Sequence, residues 1–396
     1  MAVPAQLSDR PIVVLLGMMS KHPVAGVVWQ TIHYLIGFER LGCKAYYVEA
    51  GAHQPSAMLV PADWTGDRSE AAAGFIDGVM RRFDLGDRWA FHALHADERC
   101  YGLSPAELQH LYCSAALIVN LHGATEPLPE HSATGRLIYL ETDPVRLQVE
   151  LSEDARRTTA FLEPHQAFFT FAENLGNPDC GLPVAGPFTF KPTRQPVVLD
   201  FWEHLAGGEG EVFTTIGNWR QSREVTFDGE VYHWSKHLEF LKFLDLPART
   251  GRQFELSLSR IDADDRHLLE THGWRVRDAL DFSMDLDAYR WCIATSRGEF
   301  TVAKDQNVRL RSGWFSDRSA TYLATGRPVV TQDTGFGSIV PTGEGLFAFS
   351  TLDDAAHAIR EIDADYARHS KAASRLAREY FAHDVVLARL LAEVGL

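Results

Sequence analysis

The chain has 396 residues, 45% of them hydrophobic and 23% charged, with 53 acidic against 38 basic side chains for a net charge of −15. That length exceeds one ordinary core and predicts two lobes of roughly 200 residues each. The acidic balance excludes a general nucleic-acid binder, which needs a basic face.

The five cysteines are scattered and show no Cys-x-x-Cys spacing, so reduced thiols in a cytoplasm are expected. The first eleven residues hold no basic segment leading into a long apolar run, and no window reaches the roughly 20 apolar residues of a membrane span. A secretory leader and a membrane span are therefore not expected.

Residues 12–16 (IVVLL) are apolar without alternation, the pattern of a buried parallel strand. After a loop at 17–26, residues 27–41 show helical periodicity through Val28, Ile32, Leu35, Ile36 and Phe38. Gly42 closes that helix and residues 45–48 form the next strand. This βαβ opening lacks the Gly-x-Gly-x-x-Gly of a dinucleotide site, which argues against NAD or FAD. A helix is expected over 71–83, and Ser104-Pro105 supplies a cap and a first helical residue for another. Strands at 115–120 and 137–140 end in polar loops carrying His122 and Gly123, then Glu141, Thr142 and Asp143. Open α/β sheets place ligands at such carboxyl ends. A further strand spans 168–171. Between 183 and 200, Pro183, Pro187, Pro192 and Pro196 with Gly186 interrupt all periodicity and suggest a linker. Strands at 212–216, 254–258, 274–276, 300–303 and 329–331, with helices at 237–244 and 353–362, then build a second lobe. Residues 371–394 read as amphipathic helix.

The most informative stretch is 305–336. A polar loop with Arg309, Arg311, Ser312 and Gly313 runs into a helix start at Ser316 and Asp317. Gly326 ends the helix, a strand follows, and a second polar loop carries Gln332, Asp333 and Thr334. The free N–H groups of such a helix start form an anion site. Residues 318–330, RSATYLATGRPVV, resemble the donor-site motif of GT-B glycosyltransferases, in particular the spore-coat and family-one types. Residues 37–49, GFERLGCKAYYVE, are similar to their opening helix and strand, with Cys43 in place of a histidine.

The resemblance implies an α/β fold of two Rossmann-like lobes with an inter-lobe cleft and a C-terminal helix crossing back through Tyr380 and Phe381. It divides the chain into an acceptor lobe at 1–190, a nucleotide-sugar lobe at 210–375 and a crossing helix at 376–396. It implies a glycosyltransferase working on a nucleotide sugar, UDP-linked among others, and a small-molecule or glycan acceptor. A homodimer is compatible with it. Donor contacts are expected from Asn218, Lys236, Arg309, Ser312, Gly313, Ser316, Asp317, Arg318, Ser319, Gln332, Asp333 and Thr334. His22, in the loop after the first strand, matches the base of inverting relatives, with Asp143 next in line; His122 and Glu141 stand near the acceptor.

Helix dipole and cations neutralise the leaving diphosphate in such enzymes, so no metal cofactor is expected. His92-x-x-His95 with Asp97, Glu98 and Cys100 offers metal-type ligands but no second pair. No Gly-x-Ser-x-Gly elbow or Walker loop occurs. Thr321 or Tyr322 replaces the acid usual inside the motif helix, which keeps open two alternatives, a non-catalytic nucleotide-sugar binder and a nucleotide-sugar epimerase.

Overall fold

The computed structural model describes residues 10–203, 205 and 210–396; residues 1–9, where most of the leader reading falls, lie outside that range. The first lobe is built on β1 (Ile12–Leu16), β2 (Lys44–Glu49), β3 (Trp89–His92), β4 (Cys100–Gly102), β5 (Leu117–Leu121), β6 (Leu137–Glu141), β7 (Ala167–Thr170) and β8 (Phe190–Pro192). Their order is β4-β3-β2-β1-β5-β6-β7-β8, parallel throughout except between β3 and β4. The central strands are buried on both faces, which is why they read as unbroken apolar runs.

The second lobe carries β9 (Val212–Asn218), a hairpin of β10 (Glu224–Phe227) and β11 (Glu230–His233), then β12 (Gln253–Ser259), β13 (Arg275–Asp278), β14 (Gly298–Thr301), β15 (Val329–Gln332) and β16 (Leu346–Phe349). Its sheet runs β13-β12-β9-β14-β15-β16, all parallel. In both sheets the order reverses beside the first strand, β1 or β9, and such a switch point opens a crevice at the carboxyl ends.

Two expectations change, and one element is new. The segment expected as a linker at 183–200 contains β8, and Val197 forms a bridge to Ala382. The polar loop before Ser316 holds a short helix, Asp305–Arg309. The hairpin β10–β11, short and half-exposed, had no readable period.

The C-terminal segment runs as a helix (Tyr366–Leu376), a π-helical turn (Ala377–Phe381) and a final helix (His383–Glu393). Phe381 is buried and stacks on Phe315, centroids 5.2 Å apart. The chain then crosses to the first lobe. Val197 N–H donates to the Phe381 carbonyl at 2.6 Å, and Lys191 pairs with Glu393 at 2.6 Å. The final helix packs on helix Ala25–Arg40, whose Gly37 permits the approach: a Cβ there would lie 2.5 Å from Leu387 Cδ1. Trp29 and His33 are buried along with the predicted apolar face because both pack on Phe201 and Trp202. Among the described residues no helix is long and apolar enough to cross a membrane.

Gly37→Val should lower the unfolding free energy by roughly 1–3 kcal/mol through overpacking. An unchanged urea midpoint would disprove this helix contact.

Candidate functional site

The crevices of the two sheets face each other across a cleft of about 890 Å³. On the first lobe its wall is the loop after β1. Buried Glu49 holds that loop. Its carboxylate accepts from Ser20 N–H at 2.8 Å, from the Ser20 hydroxyl and from the Tyr47 hydroxyl, which itself accepts from Met19 N–H at 2.8 Å. Gly17 is required beneath it, since a Cβ would sit 2.5 Å from the Tyr47 ring. The loop so fixed presents Lys21 and His22 to the cleft. Burial, then Lys21, Arg223 and Arg260, hold the His22 imidazole below its usual pKa of 6.5, so it is neutral at pH 7.

On the second lobe the wall is formed by Gly217 and Asn218 at the end of β9, by Lys236, and by the start of helix Asp317–Ala324. Lys236 is only 9% exposed. Burial, then Arg318, push its ammonium well below the ordinary lysine value, with Glu299 opposing. Among the described residues the ammonium makes no hydrogen bond or ion pair, while the Lys236 carbonyl accepts from Glu239 and Phe240 N–H at 3.0 Å. Arg318, by contrast, is fully engaged: with Glu299, with the Ile216 carbonyl, and with Thr301 Oγ1 at 2.9 Å.

The helix start has no side-chain cap at Ser316. Gln195 donates to the Ser316 carbonyl at 2.9 Å and Gln30 to the Asp317 carboxyl at 2.8 Å, both from the first lobe's side. Burial lifts the Asp317 carboxyl to about 7, so it is close to half-protonated at neutral pH. Asn218 Oδ1 accepts from the Ser259 hydroxyl.

No protein-family model matches the sequence, and no curated protein matches it. Solved structures do. Anabaena Alr3699/HepE, crystallised with UDP and glucose, superposes with a TM-score of 0.56 at 12% identity, covering 98% of this chain and 99% of that one. An alpha-glucosyltransferase in complex with UDP gives 0.56 at 9% identity over 98% and 100%. AviGT4, a glycosyltransferase of avilamycin A biosynthesis, gives 0.52 at 14% identity over 97% of both. The chain has the GT-B fold.

Within this GT-B cleft lie six of the residues chosen from sequence: His22, Asn218, Lys236, Ser316, Asp317 and Arg318. The others lie elsewhere. Arg309 is turned to the hairpin, over the Tyr232 ring at 4.2 Å and paired with Glu230. Ser312 is buried and donates to Asn307 Oδ1 at 2.9 Å; Gly313 packs against the Asn174 backbone and donates to the Thr334 carbonyl at 2.7 Å. Thr334 Oγ1 donates to the Trp314 carbonyl at 2.6 Å. Gln332 is buried, donating to Glu239 at 2.6 Å, and Asp333 pairs with Arg311 at 2.9 Å. Ser319 is fully buried.

On the first lobe, Asp143 is an inter-lobe strut rather than a free base. Its carboxylate takes Lys304 at 2.6 Å, Gln306 at 3.3 Å and the Trp234 indole N–H. Glu141 is buried and accepts from Gln148 at 3.0 Å and Thr170 at 2.5 Å; burial pushes its carboxyl up to about 8. His122, bonded to Thr142 Oγ1 at 2.6 Å, is held down to about 3 by burial.

Sequence reading missed Lys21, Gln30, Arg223, Arg260 and Lys304, all in the cleft. Lys21 adjoins His22, and Arg260 and Lys304 follow the ends of the strands expected at 254–258 and 300–303, so the strand-end rule would have found all three. Arg223 carries no local signal. His95 pairs with Asp67 at 3.1 Å, and among the described residues no group of three or more His, Cys, Asp or Glu side chains could hold a metal.

Glu141 binds a proton more tightly folded than unfolded, so between about pH 4.5 and about 8 it costs stability as pH rises. Glu141→Gln should therefore gain melting temperature over the unmodified protein progressively from pH 5 to 8; a difference flat in pH would contradict the raised value.

Proposed function

We propose that the protein is a GT-B glycosyltransferase that moves a hexose from a nucleoside-diphosphate donor, UDP-linked in the first instance, to an acceptor hydroxyl. One observation carries this reading: the buried, unpartnered Lys236 ammonium in the inter-lobe cleft, beside the uncapped helix start. An isolated buried cation is unfavourable without an anion, and a diphosphate supplies one. HepE, crystallised with UDP and glucose, and the alpha-glucosyltransferase, in complex with UDP, support the choice of donor.

Lys236 and the N–H groups at the helix start neutralise the diphosphate, and Asn218 lies beside them at the end of β9. Arg318, held by Glu299, contributes field rather than a free hydrogen bond. The second lobe is thus the donor lobe and the first the acceptor lobe. His22, neutral at pH 7 and on the opposite wall, takes the proton of the acceptor hydroxyl. The acceptor oxygen bonds to the anomeric carbon as the bond to the diphosphate oxygen breaks, and the nucleoside diphosphate leaves with the electron pair. Attack from the face opposite the leaving group gives inversion. Charge neutralisation by side chains makes the transfer metal-independent.

UDP, GDP and dTDP screened by thermal shift should identify a ligand that raises the melting temperature. Lys236→Ala should weaken it roughly 10- to 100-fold, the equivalent of one charge-assisted hydrogen bond. Binding unaltered by that change would remove Lys236 from the site.

His22→Ala should cut transfer roughly 10²- to 10⁴-fold with diphosphate binding intact. The acid limb of kcat/KM should fall below pH 6.5, because the base must be neutral and its pKa is lowered. Activity abolished by EDTA would refute metal independence.

A further inference from the structure

The donor reading uses Lys236 and leaves three cleft cations without a task. Lys21 comes from the loop after β1, Arg223 from just before β10, and Arg260 from just after β12; all three line the cleft. Among the described residues none has a carboxylate within 4 Å or a side-chain hydrogen bond. Arg223 rests only on the Trp234 ring, 5.1 Å from its centroid. The other cleft cations are matched: Lys304 by Asp143 at 2.6 Å and Arg318 by Glu299. In a chain with 15 surplus negative charges, three cations lining one cleft without carboxylate partners are a standing repulsion that an anion relieves. Arg260 also has φ of +58°, a left-handed backbone that is unfavourable for a residue with a Cβ and tends to be retained at functional positions.

The cations form two groups that meet at Trp234, whose ring takes Lys304 at 3.9 Å and Arg223 at 5.1 Å. Lys236 interacts with Arg318, Glu299 and Lys304 beneath the helix start. His22 interacts with Lys21, Arg223 and Arg260, and with His122 from the end of β5. A base must touch the acceptor hydroxyl, so a ligand in the second group belongs to the acceptor rather than the donor.

We infer that the acceptor is a phosphate-bearing alcohol whose phosphate is held by Lys21, Arg223 and Arg260 beside His22. This rests on the glycosyltransferase reading of the cleft. A bound dianion also offsets the cations that weaken His22 as a base. The correct acceptor therefore improves the base that deprotonates it.

Inorganic phosphate, glucose 6-phosphate and glucose serve as probes, each titrated into the full chain with UDP saturating and with UDP absent. The His22 imidazole is followed by NMR, assigned through His22→Gln. Phosphate and glucose 6-phosphate should bind and raise the His22 pKa by about one unit, while glucose leaves it unchanged. Lys21→Ala with Arg260→Ala should weaken glucose 6-phosphate about tenfold or more and UDP by less than about twofold. Lys21→Arg, which keeps the charge, should restore most of that affinity in the Arg260-intact protein.

Three results overturn the inference: equal behaviour of glucose and glucose 6-phosphate, no response of His22 to either phosphate, or a parallel loss of UDP affinity in the double variant, which would assign the cations to the donor. Failure of UDP to bind the unmodified protein would instead reject the donor reading, and the phosphate comparison without UDP would still be readable. Melting curves of each variant separate lost binding from lost fold.

Discussion

The ion pair between Arg318 and Glu299 is the contact on which the cleft depends. Glu299 sits within β14 with its side chain fully buried, and the Arg318 side chain is 11% exposed. The guanidinium also reaches the Ile216 carbonyl of β9 and Thr301 of β14. One side chain therefore ties the helix start to the two strands at the sheet's switch point. Breaking such a pair leaves a buried charge uncompensated, a loss of about 3–5 kcal/mol. The same pair sets the field around Lys236, where Arg318 disfavours the ammonium and Glu299 favours it.

A second layer of polar contacts joins the lobes around that point. Gln30 reaches Asp317, Gln195 reaches the Ser316 carbonyl, and the Trp314 indole donates to the Thr142 carbonyl at 3.0 Å. Asp143 spans to Lys304 and Trp234, and Asn174 donates to the Arg311 carbonyl at 2.8 Å. Side chains that sequence position marked as ligands of a substrate, Asp143 among them, are used here to hold one lobe against the other. Polar groups near a domain boundary serve either end, and only the partner across the boundary decides which.

The charge distribution follows a similar division. The acidic total of the chain describes its exterior, whereas the cleft gathers Lys21, Arg223, Arg260 and Lys236 without carboxylate partners. Net charge therefore bears on which macromolecules the surface attracts and says little about the ligand of an internal pocket.

Sequence alone determined the two-lobe parallel α/β plan. Strands such as 12–16 and 137–140 are buried on both faces and so are unbroken apolar runs, and Gly326 with Pro328 marks a helix end that local chemistry requires. It also pointed to His22 and the helix start at Ser316, which lie after a recognisable strand and at a helix cap position, and to Lys236, which follows the unread hairpin; all three line the cleft. It missed β8, the β10–β11 hairpin and the short helix at Asp305–Arg309, elements of three to five residues whose conformation comes from neighbours rather than from a period. Only the tertiary structure decided that Gln332, Asp333 and Thr334 bond to neighbours outside the cleft lining, that burial lifts the Glu141 carboxyl, and that Arg223, Arg260 and Lys21 line the same cleft as His22. Those outcomes depend on burial and on partners tens to hundreds of residues away, and such distances leave no trace in local spacing.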